Sequence, residues 1–391
     1  MHGLSGFAVL FVVATNLGLP LPGGYLATDM LLVAIGFELA RTVRRPETEE
    51  HWLKLFWLGR VAQIGAPVLL AVGLAALYWN WQEQLDEAKL RAVLGAVTMT
   101  LNYFVIYGQA DFMAIEHLWV VGLIVQFAVV VPLLVNGGRR YLGPEQRSSA
   151  MLGLAAGVAL CRLGFLATDA AAHQSIAMHG LTRLDGLLIG LAVGIAPPDL
   201  LRRVAPARSA APAFAGLLLL LLLGPDPVGH STIALGLALP AVVALTGVVL
   251  ASLSQSPSAA TPAEATAGPA RAADRGALSM TVDNHLMRWL GARAMSVFIW
   301  HHVFGLALET EVLGPEARLE EWPGFAVFIV RAIFSLAAAA TSYRYLELPA
   351  MAAAEQIANR PGEDDLEAIE LQRQSATESV GGLGRVGGVG G

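Results

Sequence analysis

The chain has 391 residues, 55% of them hydrophobic and 14% charged, with a formal net charge of −6. A soluble domain carries about 25% charged residues, so this balance excludes an ordinary soluble enzyme. With no basic stretch interleaved with aromatics, it also excludes a nucleic-acid binder. The one cysteine, Cys161, lies inside an apolar run, which leaves no internal disulfide and no thiolate metal site.

Apolar runs fall at 3–20, 25–43, 56–79, 91–107, 118–135, 149–168, 180–196, 210–224, 231–253, 288–308 and 324–346. Most approach the ~20 residues that a helix needs to cross a bilayer. The first lacks a basic leader and a small-residue cleavage site, so it reads as a retained span, not a signal peptide. Arg41, Arg44, Arg45 and Lys54 follow the second run, and Arg139, Arg140 and Arg147 the fifth. Arg202, Arg203 and Arg208 follow the seventh, and Arg271 and Arg275 the ninth. The loops between them are acidic or neutral, as at Glu83 to Glu87, Asp226 and Glu309 to Glu321.

Cytoplasmic loops carry the excess of Lys and Arg. If every run crossed, the sign pattern would invert after the fourth. If 91–107 does not cross, all the basic loops share one side. The sequence therefore predicts an all-α polytopic membrane bundle of about ten transmembrane helices in the inner (plasma) membrane, with both termini cytoplasmic. Segment 91–107 becomes re-entrant or interfacial on the outer side; the other reading is a short tilted span. Its Thr98, Thr100, Asn102, Tyr103 and Tyr107 make it the most polar run. Irregular backbone at that depth requires surrounding protein or a watery cavity.

Residues 1–350 read as one membrane domain. Within it, 254–280 is rich in Ser, Ala, Pro and Thr and is predicted to be a flexible cytoplasmic loop. Residues 351–391 read as a cytoplasmic, largely disordered tail, charged at first and Gly-rich at the end.

Ionisable groups inside spans are costly and mark functional cavities or mutual pairs. Under this topology Asn16, Asp29, Asn102, His117, Arg162, Arg183, Asp185 and His301 favour the outer leaflet, which predicts a polar cavity opening outward. Arg183 and Asp185, two apart, point to different helix faces. Each needs a partner elsewhere, and Asp29–Arg183 is a candidate ion pair. His117, His301 and His302 are candidate bases. His117 also suits a headgroup position, and the other two suit hydrogen-bonded core positions. Glu38 is a mid-span carboxylate that could pair with Arg60. Arg344 and Glu347, three apart, suggest a local pair. No histidine spacing suggests a metal site.

The stretch His117-Leu118-Trp119 through Gln126-Phe127 resembles the signature span of the acyltransferase-3 family of bacterial membrane proteins, His-x-Trp-Ser-Leu-x-Val-Glu-x-Gln-Phe-Tyr. Further elements follow in the family's order: Gly3-Leu4, Pro22-Gly23-Gly24, Thr100-Leu101-Asn102-Tyr103-Phe104, Thr182-Arg183-Leu184-Asp185, Trp300-His301 and Ser342-Tyr343-Arg344. The resemblance implies transfer of an acyl group, often acetyl, from acyl-CoA to a hydroxyl of a glycan, lipid or small molecule. It also implies a base on the first span, a His preceded by an Arg. Asn16 and Ser5 occupy those positions. Val120 stands at the signature Ser, and Ile124 or Val125 at the signature Glu. His301, His117 and Asn16 are then the candidate catalytic residues. Asp29, Asn102, Arg162, Arg183, Asp185 and Arg60 are the candidate substrate-binding residues. The lost positions leave a second reading: a silent relative serving as a binding or assembly subunit of a membrane-protein complex.

Overall fold

The computed structural model describes residues 2–19, 21–43, 49–108, 115–168, 173–225, 232–255, 281–282, 284–307 and 324–358. Among them every regular element is helical. The chain opens with α1 (His2–Asn16), α2 (Ala27–Val43), α3 (Glu49–Arg60) and α4 (Ala66–Trp81). Two short helices follow, α5 (Glu87–Val97) and α6 (Leu101–Ile106), and then α7 (Trp119–Arg139) and α8 (Pro144–Thr168). Next come α9 (His173–Met178), α10 (Gly180–Arg183), α11 (Asp185–Ile195), α12 (Pro198–Val204), α13 (Ala210–Leu223) and α14 (Leu239–Ser254). The last four are α15 (His285–Ala292), α16 (Ala294–Ala307), α17 (Gly324–Ser342) and α18 (Leu348–Ala358).

Five helical stretches are long and apolar enough to cross a membrane: Leu53–Trp81, Glu116–Arg139, Pro144–Thr168, Ala234–Ser254 and Ala326–Ala358. A sixth arises if α12 and α13, bent by 49°, form one span. Three stretches run through π-helical turns, at Val61–Gly65, Ala234–Ala238 and Tyr343–Glu347. Such turns insert a residue without ending the helix. The predicted count of about ten therefore stands unconfirmed. It depends on shorter apolar helices such as α1, α11 and the first part of α16.

The run 288–308 is two helices, because the chain breaks at Arg293 between α15 and α16. The run 91–107 is also broken. Met99 sits between α5 and α6 with φ +58°, a left-handed conformation unusual for a residue with a side chain. At 1.5 Å per residue, α5 is about 16 Å long and α6 about 9 Å, so neither piece reaches across a ~30 Å hydrocarbon layer. The helix at the C-terminal end passes the expected boundary at 350 and continues to Ala358. The tail beyond it, and all but the first two residues of 254–280, lie outside the described residues.

Two glycine seams hold the bundle. Helix α2 runs parallel to α11: a β-carbon at Gly190 would stand 2.0 Å from the Val33 carbonyl oxygen, and one at Gly36 2.1 Å from that of Leu187. Helix α1 runs antiparallel to α15, with Gly291 against the His2 carbonyl and Gly6 against that of Met287. Lipid tails are as apolar as Leu, so helices in a bilayer associate through close backbone approach.

Gly190→Ala is therefore expected to lower stability by about 1–3 kcal/mol, the usual overpacking cost, read as a lower Tm of the detergent-solubilised protein. Gly73→Ala, where nothing lies within 4 Å of the new carbon, should not lower the Tm, since Ala is the better helix former.

Candidate functional site

Three histidines from two elements meet. His117 belongs to a short 3-10 turn, Glu116–Leu118, that leads into α7; His301 and His302 lie on α16. The His117 ring stands edge-on to His301, with centroids 5.0 Å apart, and stacks on His302 at 5.2 Å with planes 10° apart. His117 and His301 are buried. The His117 Nε2 lies 2.9 Å from the Ile299 carbonyl oxygen, and the His301 Nδ1 2.7 Å from that of Phe298. The Asn16 amide nitrogen, at the end of α1, lies 2.9 Å from His301 Nε2. Two unrelated segments, 285 residues apart, thus bring Asn16 and His301 together.

Next to this cluster lies a four-residue charge network. Arg183 pairs with Asp29 at 3.1 Å and Arg162 with Asp185 at 2.7 Å, every side chain nearly or wholly buried. Arg162 also donates to the Thr182 carbonyl at 2.5 Å, and Asp29 lies within electrostatic reach of both Asp185 and Arg162. The chain breaks at Leu184, so Arg183 closes α10 and Asp185 opens α11. At two-residue spacing they point to different faces, Arg183 to α2 and Asp185 to α8. A carboxylate at a helix start also suits the positive end of the helix dipole.

Trp119 links the two groups. It follows His117 by two residues, and the Arg183 guanidinium lies over its ring at 5.6 Å. Along the same stripe of α7 come Gly122 and Gln126. A β-carbon at Gly122 would meet the Met99 carbonyl at 2.8 Å. Gln126 donates to that carbonyl at 2.7 Å and to Asn102 Oδ1 at 3.0 Å. Seven residues separate Trp119 from Gln126, so Asn102 packs about 10 Å along α7 from the tryptophan. It is fully buried, and its Nδ2 has no partner among the described residues. Arg60 stands apart from all these groups, at the end of α3, where the nearby charge is Glu38.

Of the residues singled out from sequence, Asn16, His117 and His301 form one cluster, and Asp29, Arg162, Arg183 and Asp185 another. Asn102 sits farther along α7, and Arg60 belongs to neither. His302, a candidate base from sequence, joins the first cluster because the turn at 116–118 brings His117 against both its ring and that of His301. Sequence reasoning passed over two neighbours. Trp119 carried only its place in the signature. Arg331, on α17, donates to the Leu17 carbonyl at 3.3 Å beside Asn16; its signal was an arginine in an apolar run. The Arg344–Glu347 expectation needs correction. The π-helical turn changes the register there, and Glu347 accepts hydrogen bonds from Ser296 and Ser342 instead.

Asp185→Asn would leave a fully buried Arg162 without its counter-charge. It is expected to cost about 3–5 kcal/mol, measured as loss of thermal stability in detergent, whereas Arg162→Met combined with Asp185→Leu should recover most of that loss.

A family model described as "Acyltransferase domain", the acyltransferase-3 family, matches residues 2–344. The chain is also similar to three proteins of Staphylococcus aureus, from strains COL, MSSA476 and MRSA252, each described as a "Putative O-acetyltransferase". Identity to each is 25% over 228 residues, covering 53% of this chain and 36% of the relative. The match thus spans about a third of the length of those relatives. No solved structure matches the chain. The match across nearly its whole length, on a helical framework apolar enough for a membrane, makes this chain a member of the acyltransferase-3 family.

Proposed function

We propose that this protein is a membrane-bound O-acyltransferase of the inner membrane. It would transfer an acyl group from acyl-CoA to a hydroxyl of a glycan, lipid or small molecule. The observation that carries the reading is the buried histidine cluster, built from the family's signature His117 and Trp300-His301 elements and closed by Asn16 at the family's base position. Acetyl is the acyl group suggested by the descriptions of the S. aureus relatives.

The reaction needs a base to take the hydroxyl proton and donors to hold the tetrahedral oxyanion. Asn16 has no basic group, so the base is His117 or His301, with the Asn16 amide as the orienting donor. The Asp29, Arg162, Arg183 and Asp185 network and Asn102 would frame the acceptor. Acyl-CoA would approach from the cytosol, its phosphates met by Arg41 and Arg60; Arg44 and Arg45 lie outside the described residues. The basic loops support about ten crossings with both termini cytoplasmic and the α5–α6 pair re-entrant from outside. Gln126 supports that depth, since it grips the Met99 carbonyl two turns into α7.

One set of substitutions favours a second reading. Ser5, Asn16 and Ile124 replace the family's Arg, His and Glu, and Ser5 and Ile124 are buried in the core. A silent relative would keep this scaffold as an assembly or binding subunit of a membrane complex.

Acetyl-CoA consumption by the protein in native membranes, beside an active relative, separates the two. The acyltransferase is expected to turn over, and the His117→Gln/His301→Gln double variant to lose about 100-fold or more. No turnover beside a working control would favour the silent relative. Topology is checked with a membrane-impermeant thiol reagent on a Cys161→Ala background. Glu83→Cys should label in intact cells, and Arg203→Cys only after permeabilisation.

A further inference from the structure

We propose that His117, through its Nδ1, is the group that takes the acceptor proton, and that His301 is a positioning residue. This inference rests on the acyltransferase reading and assigns the work within its site.

A neutral imidazole has one N–H and one lone pair, and the partner of one nitrogen decides which is which. A backbone carbonyl can only accept. The Ile299 carbonyl, 2.9 Å from His117 Nε2, therefore places the hydrogen on Nε2 and the lone pair on Nδ1. That Nδ1 is buried and has no partner among the described residues. The same logic gives His301 the opposite form. Its Nδ1 donates to the Phe298 carbonyl at 2.7 Å, which leaves the lone pair on Nε2. There the Asn16 amide donates to it at 2.9 Å. The basic nitrogen of His301 is thus already engaged. His117 Nδ1 and His302 Nδ1 are both without a partner among the described residues, and of the two His117 has its lone pair fixed on Nδ1 by the Ile299 carbonyl at Nε2.

The packing supports this division. His117 is gripped on several sides: His302 stacks on its face, His301 meets it edge-on, and Phe298 lies tilted at 5.6 Å. Locking His301 between Phe298 and Asn16 fixes the wall against which His117 rests. The substitution that removes a base from the first span thereby converts α1 from a supplier of chemistry into a clamp on α16.

The acceptor O–H gives its proton to His117 Nδ1 while its oxygen bonds to the thioester carbonyl carbon. Collapse of the tetrahedral adduct breaks the C–S bond, and the proton held on Nδ1 passes to the departing CoA sulfur. Ester and CoA thiol are the products. The transient imidazolium keeps its Nε2–H bond to the Ile299 carbonyl throughout.

Two measurements on the full-length protein in lipid nanodiscs test this. The first is 15N–1H correlation of ring nitrogens with labelled histidine, assigned by loss of each signal in His117→Gln, His301→Gln and His302→Gln. His117 is expected in the Nε2–H form and His301 in the Nδ1–H form; a hydrogen on His117 Nδ1 overturns the proposal. The second is acetyl-CoA turnover with extracted membrane glycans and lipids as acceptors. His117→Gln should lower kcat about 100-fold or more, while His301→Gln and Asn16→Leu lower it about tenfold and disturb the His117 ring signal. Retained turnover in His117→Gln, or the large loss falling on His301→Gln or His302→Gln alone, overturns the assignment and leaves the acyltransferase reading intact. An inert wild type beside a working relative overturns that reading, and the catalytic assignment with it.

Discussion

The arrangement depends on charge compensation inside an apolar bundle. Arg162 is wholly buried, and an unpaired guanidinium at such a depth would cost several kcal/mol. Its bond to Asp185, and the neighbouring bond from Arg183 to Asp29, let α8, α11 and α2 pack with these four charges inside. The glycine seam between α2 and α11 and these pairs reinforce one another. Gly36 and Gly190 let the backbones close to contact distance, and the contact brings Asp29 within reach of Arg183. Two residues apart, Arg183 and Asp185 stand about 200° from one another round the helix axis, so the two charges serve two different helices.

Helix α7 turns that scaffold into a site. Its leading turn carries His117 to α16, its first residue, Trp119, receives Arg183, and Gly122 and Gln126 hold the break between α5 and α6. One helix thus connects the imidazoles, the charge network and the strained Met99. The histidines are in turn oriented by backbone carbonyls of α16 itself. Those carbonyls belong to a helix pinned by Ser335 on one side and α1 on the other, so the rings are held by elements with little freedom to drift.

Much of the site was legible from cost alone. Asp29, Arg162, Arg183 and Asp185 are conspicuous in apolar runs because lipid punishes each of them, and that argument anticipated the Asp29–Arg183 pair. It could not reach Arg162–Asp185, which depends on how α8 slides against α11. His302 was a candidate from sequence, but an ideal helix turns it about 100° from His301, and only the approach of His117 brings all three rings together. The Arg344–Glu347 expectation failed because i,i+3 spacing presumes an α-helix, whereas that turn is π-helical and two serines take the carboxylate. Hydropathy found where apolar helices lie. It did not register the breaks at Met99, Leu184 and Arg293, since a break is a matter of backbone angles and not of mean polarity.

By itself the amino-acid sequence determined the apolar helical character of the chain, its family and the set of polar residues confined among apolar ones. Each of these is a property of local composition or of ordered motifs. The tertiary structure decided the pairings that sequence could not reach, Arg162 with Asp185 and Asn16 with His301, and which nitrogen of His117 and of His301 faces a backbone carbonyl. Those outcomes depend on backbone approaches of an ångström or two, at glycine seams and helix breaks. Distances of that size arise only when segments are packed together, whether 23 residues apart, as Arg162 and Asp185 are, or 285, as Asn16 and His301 are.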